Sequence, residues 1–242
     1  MRGARGAKPL ALVTGATGYI GGRLIPELLA AGYRVRVFAR NADRLKYQPW
    51  LANVEVREGD ATDPAAVAEC LKNVDVAYYL LHALMAKDDF ESKEANLATI
   101  FASAAKAQKV KRIVYLGGII STESELSPHL KSRADTGEIL RNSGVPTIEL
   151  RAGVVIGSGS ASFEMLRYLT ERLPFMITPK WLNIRIQPIA VRDVLRYLVG
   201  AASIDEKTSG VFDIGGPEVF TYADMMQGYA KAAGLRKRWI IP

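Results

Sequence analysis

Short apolar runs alternate along this chain with longer stretches in which apolar residues recur every three or four positions. Leu10-Ala-Leu-Val13 carries no charge and reads as a buried strand; Leu24, Ile25, Leu28 and Leu29 then mark one face of a helix over Tyr19 to Ala31, closed by Gly32. The alternation continues with strands at 33–40, 54–58, 74–81, 111–118 and 147–151, the last running on to Gly157. Between them fall helices from Pro64 to Leu71, from a cap at Asp88 or Asp89 to about Gln108, and from a cap at Ser127 with Pro128 as its first residue. Phe90, Leu97, Ile100, Phe101 and Ala104 give the middle one a core-facing side. Shorter pieces follow: helices at 163–173, 191–199 and 222–233 (capped by Thr221), and strands at 184–189 and 211–214. Strands separated by helices predict an α/β fold, a Rossmann-type doubly wound parallel sheet covered on both faces with right-handed crossovers. Pro26 sits inside the first helix and would clash with the carbonyl of Gly22 four residues back; the expectation is a bent helix rather than a broken one.

The turn after the first strand is Thr14-Gly15-Ala16-Thr17-Gly18-Tyr19-Ile20-Gly21-Gly22. A buried strand that turns sharply into a helix gathers backbone N–H groups and the positive helix end at one point, which suits a phosphate. Gly15 permits the tight turn, Gly18 a close approach of pyrophosphate, and Gly21 close packing of helix on strand. In a doubly wound sheet such a turn lies at the carboxyl ends of the strands, near the topological switch point, where ligands bind.

Composition narrows the class. The 242 residues are 49% hydrophobic and 24% charged, ordinary for a globular chain, and no apolar run approaches the roughly 20 residues a membrane span needs. The net charge of +7 is concentrated at the ends, in Arg2, Arg5, Lys8, Arg236, Lys237 and Arg238; without these six, 26 basic residues face 25 acidic ones, so nucleic acid is not an expected partner and solvated ends are the default. Cys70 is the one cysteine, so no internal disulfide can form, and a buried thiol is favoured over a nucleophile. These features, with no secretory signal in the opening residues, fit a cytoplasmic protein. No metal-ligand spacing is present.

The turn Thr14 to Gly22 resembles that of the extended and atypical short-chain dehydrogenase/reductase families, NmrA-like and epimerase-like NAD(P)-binding proteins among them, and the likeness runs from about Leu10 to Tyr229. The resemblance implies a basic tail (1–9), an NAD(P)-binding core (10–157) and a smaller substrate-side region (158–242), interleaved with the last strands and followed in relatives by more sequence, so that the chain is a candidate piece of a longer protein. It implies cofactor contacts from Gly15, Thr17, Gly18, Tyr19 and Ile20. Arg40, at the end of the second strand with no acid before Asp43, favours NADP over NAD, although NAD stays possible. Asp60 in Gly59-Asp60-Ala61 is the candidate adenine contact, with Ala61 beside it, while Asp63 caps the next helix. Leu80 and His82 fall where relatives place a small-residue turn against the cofactor ribose, so backbone contact is expected there; His82 is read either as a polar pocket residue or as a hydrogen-bonded histidine at a strand end. Asn96 falls where relatives carry an asparagine near the active site.

The family chemistry uses a serine, then a tyrosine and a lysine four residues apart on one helix face. Here Gly117-Gly118 stands at the serine's place, with Ser121 and Thr122 further on, and His129 and Arg133 stand where the tyrosine and lysine belong. His129 is the candidate proton-transfer group, and Arg133 a fixed charge that cannot trade protons. The helix start and Arg133 both disfavour the imidazolium. Two readings follow: an NADP-dependent reductase or epimerase-like enzyme acting on an unidentified small molecule, or a non-catalytic redox sensor or assembly module with a protein partner. A homo-oligomer fits either.

Overall fold

The computed structural model describes residues 8–82, 90–120, 127–177 and 184–241. Arg2, Arg5, Asp88, Asp89, Ser121, Thr122 and the side chain of Phe90 lie outside the described residues. The elements run β1 (Leu10–Thr14), α1 (Tyr19–Ala30), β2 (Arg34–Ala39), β3 (Glu55–Glu58), α2 (Pro64–Cys70), β4 (Val76–Tyr79), α3 (Phe90–Ala107), β5 (Arg112–Gly118), α4 (Pro128–Arg141) and β6 (Thr147–Ala152). They continue with β7 (Val155–Ile156), α5 (Ala161–Arg172), β8 (Phe175–Ile177), β9 (Arg185–Ile186), β10 (Ile189–Ala190), α6 (Val191–Ser203), β11 (Gly210–Ile214), β12 (Phe220–Thr221), α7 (Tyr222–Ala232) and β13 (Trp239–Ile241).

Seven strands form one parallel sheet in the order β11-β6-β5-β4-β1-β2-β3. β1 pairs with both β2 and β4, so the strand order reverses between β1 and β4. That is the switch point of a Rossmann-like α/β fold. β1 is buried at all five residues, as a central parallel strand must be. Consecutive residues of β4 serve opposite faces. The Tyr79 ring packs edge-on against Phe101 of α3 at 5.0 Å, while the Tyr78 hydroxyl donates to Leu198 O of α6 at 3.0 Å. Arg112 ties α6 down again through Nη1 to Ala201 O (3.0 Å) and Ile204 O (2.7 Å).

The chain forms two compact units. One comprises 1–151 with Leu195–Phe212, the other Ala152–Val194 with Asp213–Pro242. Within the second, the segment expected as one strand at 184–189 is two. Arg185–Ile186 pairs antiparallel with β12, and Ile189–Ala190 pairs parallel with β7. Pro188 supplies the break; its carbonyl accepts from Gly216 N–H at 2.9 Å. Arg238, expected in a solvated tail, is instead 8% exposed. Its Nε donates to Thr170 O at 2.8 Å in the last turn of α5, where helix carbonyls lack partners and the dipole favours a cation.

Pro26 leaves α1 unbroken from Tyr19 to Ala30. The proline has no N–H for Gly22 O, and the buried Trp50 indole donates to that carbonyl at 3.0 Å. The local rule explains the vacancy, and a residue 28 positions away fills it.

Candidate functional site

At the switch point, Thr14 joins the two central strands. Its hydroxyl donates to Tyr78 O at 2.9 Å and accepts from Leu80 N–H at 2.9 Å. The chain then turns at Gly15 with φ +68°. A Cβ there would lie 2.2 Å from Leu80 O, so only glycine lets the ends of β1 and β4 approach this closely. Gly21 is equally constrained: its Cβ would lie 2.3 Å from Gly15 O, which seats α1 on the turn. Gly18 differs. It is exposed, has φ −81°, and its added Cβ would meet Gly15 O alone, at 3.1 Å. It occupies the N-cap of α1 with no side-chain cap, and its own N–H returns to Gly15 O at 2.9 Å. Thr17 is exposed, and Tyr19 and Ile20 are half-buried. A bare Cα beside the opening amides of a twelve-residue helix fits a diphosphate oxygen.

Arg40 is exposed one residue past β2, and Asn41 accepts from Asp43 N–H at 2.8 Å to start a 3-10 turn over Ala42–Leu45. Asp43 therefore belongs to that turn. Asp60, also exposed, accepts from both the N–H and hydroxyl of Thr62 at 2.8 Å. Those two bonds, with the positive field of Arg40, hold its carboxyl below the usual range. Ala61 is half-buried beside it. Asp63 accepts from Ala65 N–H at 2.9 Å and caps α2, with Pro64 as its first residue. Leu80 is buried with its N–H committed to Thr14, so its carbonyl over Gly15 is its contribution to the turn.

A second group of side chains gathers near the carboxyl ends of β4 and β5. Ser127 caps α4 by accepting from Leu130 N–H at 3.3 Å, which places His129 and Arg133 one turn apart. Arg133 Nη2 donates to Leu116 O at 2.9 Å and lies 3.3 Å from His82 Nε2. Desolvation, then the charge of Arg133 and the nearby His129, push His82 down to about 3. His129 is half-buried; burial, then Arg133, lower its pKa while Glu94 opposes them. The direction matches the sequence reading, but burial is the leading cause. Asn96 is exposed.

Other groups are committed elsewhere. Tyr115, pushed up to about 12 mainly by burial, donates its hydroxyl to Arg133 O at 3.1 Å. Lys131 lies 3.8 Å from Glu91 of α3. A side chain at Gly117 would meet the buried Glu149 carboxylate at 3.3 Å, and one at Gly118 would meet Leu130 at 3.1 Å. Cys70 is buried, contacts Val67 O at 3.2 Å, and is pushed up to about 12 by desolvation, which fits an inert thiol. Among the described residues no cluster of three potential metal ligands occurs and no helix is long and apolar enough to cross a membrane.

Three structural residues were not singled out from the sequence: Thr14, Trp50 and Glu149. Only Thr14 carried a signal, a hydroxyl closing an apolar strand immediately before the glycine turn.

A family described as NAD(P)H-binding matches residues 15–162, more than half of the chain. The chain belongs to this family. It is 23% identical over 229 residues to "NADH dehydrogenase [ubiquinone] 1 alpha subcomplex subunit 9, mitochondrial" from Arabidopsis thaliana, covering 90% of this chain and 56% of the relative. It is 25% identical over 240 residues to "Ceramide reductase" from Caulobacter vibrioides, covering 97% of this chain and 74% of that protein. The chain thus spans little more than half of the plant relative. Its fold matches that of UDP-N-acetylglucosamine 4-epimerase from Bacillus cereus with a TM-score of 0.78, at 17% identity and over 97% of this chain and 85% of that one. The family match shows an NAD(P)H-binding domain, and the structural likeness shows its fold.

Proposed function

We propose, with membership of the NAD(P)H-binding family as the premise, that residues 10–157 bind NADP(H) in preference to NAD(H) and that 158–242 serve the substrate. In this reading the diphosphate rests on the turn at Gly15, Thr17, Gly18, Tyr19 and Ile20. Asp60 and Ala61 meet the adenine, and Arg40 meets the 2′-phosphate. Leu80 and His82 lie along the ribose side. The observation that carries the reading is the division of labour in the glycine turn: Gly15 and Gly21 have no room for a side chain, whereas exposed Gly18 has room on all but one side. Arg40 supports the choice of cofactor. Its charge reaches Asp60, so the two residues belong to one electrostatic neighbourhood.

A bound nicotinamide supplies hydride transfer. The chain's part in an enzyme would be to hold and move a proton at the substrate oxygen. His129 is the candidate for that, since it sits one helical turn from Arg133 and an imidazole can give or take a proton near neutral pH. Arg133 supplies fixed positive charge. A second reading, a nucleotide-binding module without turnover, draws support from the same geometry. Burial and then the Arg133 charge lower the His129 pKa, which weakens it as a proton reservoir for carbonyl reduction, and Arg133 cannot release a proton.

Titration of wild type and Arg40→Ala with NADPH and NADH tests the cofactor assignment. Losing a charged contact worth about 1.5–3 kcal/mol should weaken NADPH roughly 10- to 100-fold and leave NADH unchanged. Equal wild-type affinities for both cofactors would sink it. NADPH absorbance change in the presence of carbonyl or sugar-nucleotide substrates, abolished by His129→Ala, separates the enzyme from the binder.

A further inference from the structure

We propose that His82 is a positioning residue: its ring holds the Arg133 guanidinium at the carboxyl ends of β4 and β5 so that Nη1 is presented to a bound dinucleotide. This rests on the nucleotide-binding reading above. The argument is one of hydrogen-bond capacity. A guanidinium has five N–H donors and accepts nothing. Nη2 has two N–H groups and two neighbours, Leu116 O at 2.9 Å and His82 Nε2 at 3.3 Å. Facing a group that only donates, Nε2 must accept, which puts the ring proton on Nδ1. Nε is buried and has no hydrogen-bond partner among the described residues. Among the described residues Nη1 itself forms no hydrogen bond, although the Tyr115 hydroxyl interacts with the Arg133 side chain, and Nη1 is the nitrogen this proposal turns toward the ligand.

Fixing both hydrogens of one terminal nitrogen fixes the plane of the whole guanidinium. One anchor comes from β5 and the other from the residue three positions past β4. Without the histidine, the single bond to Leu116 O would let the group rotate about that contact. The ring must stay uncharged to serve, and burial beside Arg133 ensures that it does. A side chain at this position therefore needs an acceptor and no charge, a specification that glutamine also meets.

The test uses the full chain and NADPH titration of wild type, His82→Leu, His82→Gln, Arg133→Met and the double variant His82→Leu/Arg133→Met, with thermal melts to establish folding. His82→Leu should weaken NADPH at least fivefold, His82→Gln should stay within about twofold of wild type, and the double variant should bind no more weakly than Arg133→Met alone. Wild-type affinity in His82→Leu, failure of glutamine to rescue, or losses that multiply in the double variant would overturn the proposal. A wild type that binds no NADPH would instead refute the nucleotide-binding reading. A readout without cofactor is the nitrogen NMR spectrum of the His82 ring. The proton should reside on Nδ1 in wild type, and Arg133→Met should abolish that preference; a wild-type proton on Nε2 would refute the contact itself.

Discussion

Two glycines three residues apart in one turn should fail in different ways, one chiefly through stability and the other through binding. Gly15→Ala places a methyl 2.2 Å from Leu80 O and 2.8 Å from Leu80 C, both backbone atoms. Leu80 cannot retreat cheaply, because its N–H is held by Thr14 and Thr14 in turn binds Tyr78 O. The substitution also forces a side chain into φ +68°, at roughly 1–2 kcal/mol. Overpacking adds about 1–3 kcal/mol, for a total near 2–5 kcal/mol. At about 2–4 °C per kcal/mol for a chain of this size, the melting temperature should fall by roughly 4–20 °C. Gly18→Ala meets no such barrier. Its φ of −81° suits any residue, the 3.1 Å contact to Gly15 O needs a shift of a few tenths of an ångström, and the poorer N-cap costs about 1 kcal/mol or less. In the proposed placement the methyl stands where a diphosphate oxygen approaches. Losing one charge-assisted contact of about 1.5–3 kcal/mol predicts a 10- to 100-fold weaker NADPH complex. Thermal denaturation and NADPH titration of both variants give four numbers. A Gly15→Ala protein that melts within a degree of wild type would refute the closed seam between β1 and β4. A Gly18→Ala protein that binds NADPH as wild type does would refute the placement of the diphosphate.

Trp50→Phe should cost about 1–3 kcal/mol in urea denaturation, because it strands the Gly22 carbonyl that Pro26 leaves without its helical donor. In a Pro26→Ala background the helix regains that donor, so the same substitution should cost clearly less; an unchanged cost would refute the link. His82 should make the fold acid-sensitive. Its folded pKa of about 3 lies below the unfolded value near 6.5, so the native state binds fewer protons in that window, and the stability present above pH 6.5 is lost as pH falls toward 3. Between pH 7.5 and 5.5 wild type should lose about 1.4 kcal/mol more than His82→Gln, measured by urea denaturation; parallel losses would show that His82 is not the group responsible.

Which features could be read beforehand depended on how far apart their determinants lie in the chain. The glycine turn, the cap of α4 by Ser127, the cap of α2 by Asp63 and the cap of α7 by Thr221 each rest on spacings of three residues or fewer, and the structure forms all of them; Asp224 completes the last as a capping box. The strand expected at 184–189 did not survive as one piece, because two-residue strands are defined by their partners. Ile186 answers to Phe220 and Ile189 to Val155, and no local pattern encodes either pairing. Arg238 looked like tail charge because the open carbonyls at the end of α5 lie 67 and 68 residues away in sequence.

The candidate site divides along the same line, and the division bears on its chemistry. The His129–Arg133 spacing is local and was legible; the contact between Arg133 and His82 crosses 51 residues and was not. Yet that contact changes what Arg133 can do. Judged on α4 alone, it is a flexible cation free to follow a ligand. With Nη2 saturated by Leu116 O and His82, it is a fixed donor pair whose direction is set by the ends of β4 and β5. β4 is in turn set by the Thr14 seam that brings Leu80 over Gly15. The glycine turn and the Arg133 group therefore share one mechanical support. Opening the seam should shift both at once, so Gly15→Ala is expected to weaken NADPH binding as well as stability, whereas Gly18→Ala should act chiefly on the proposed phosphate contact.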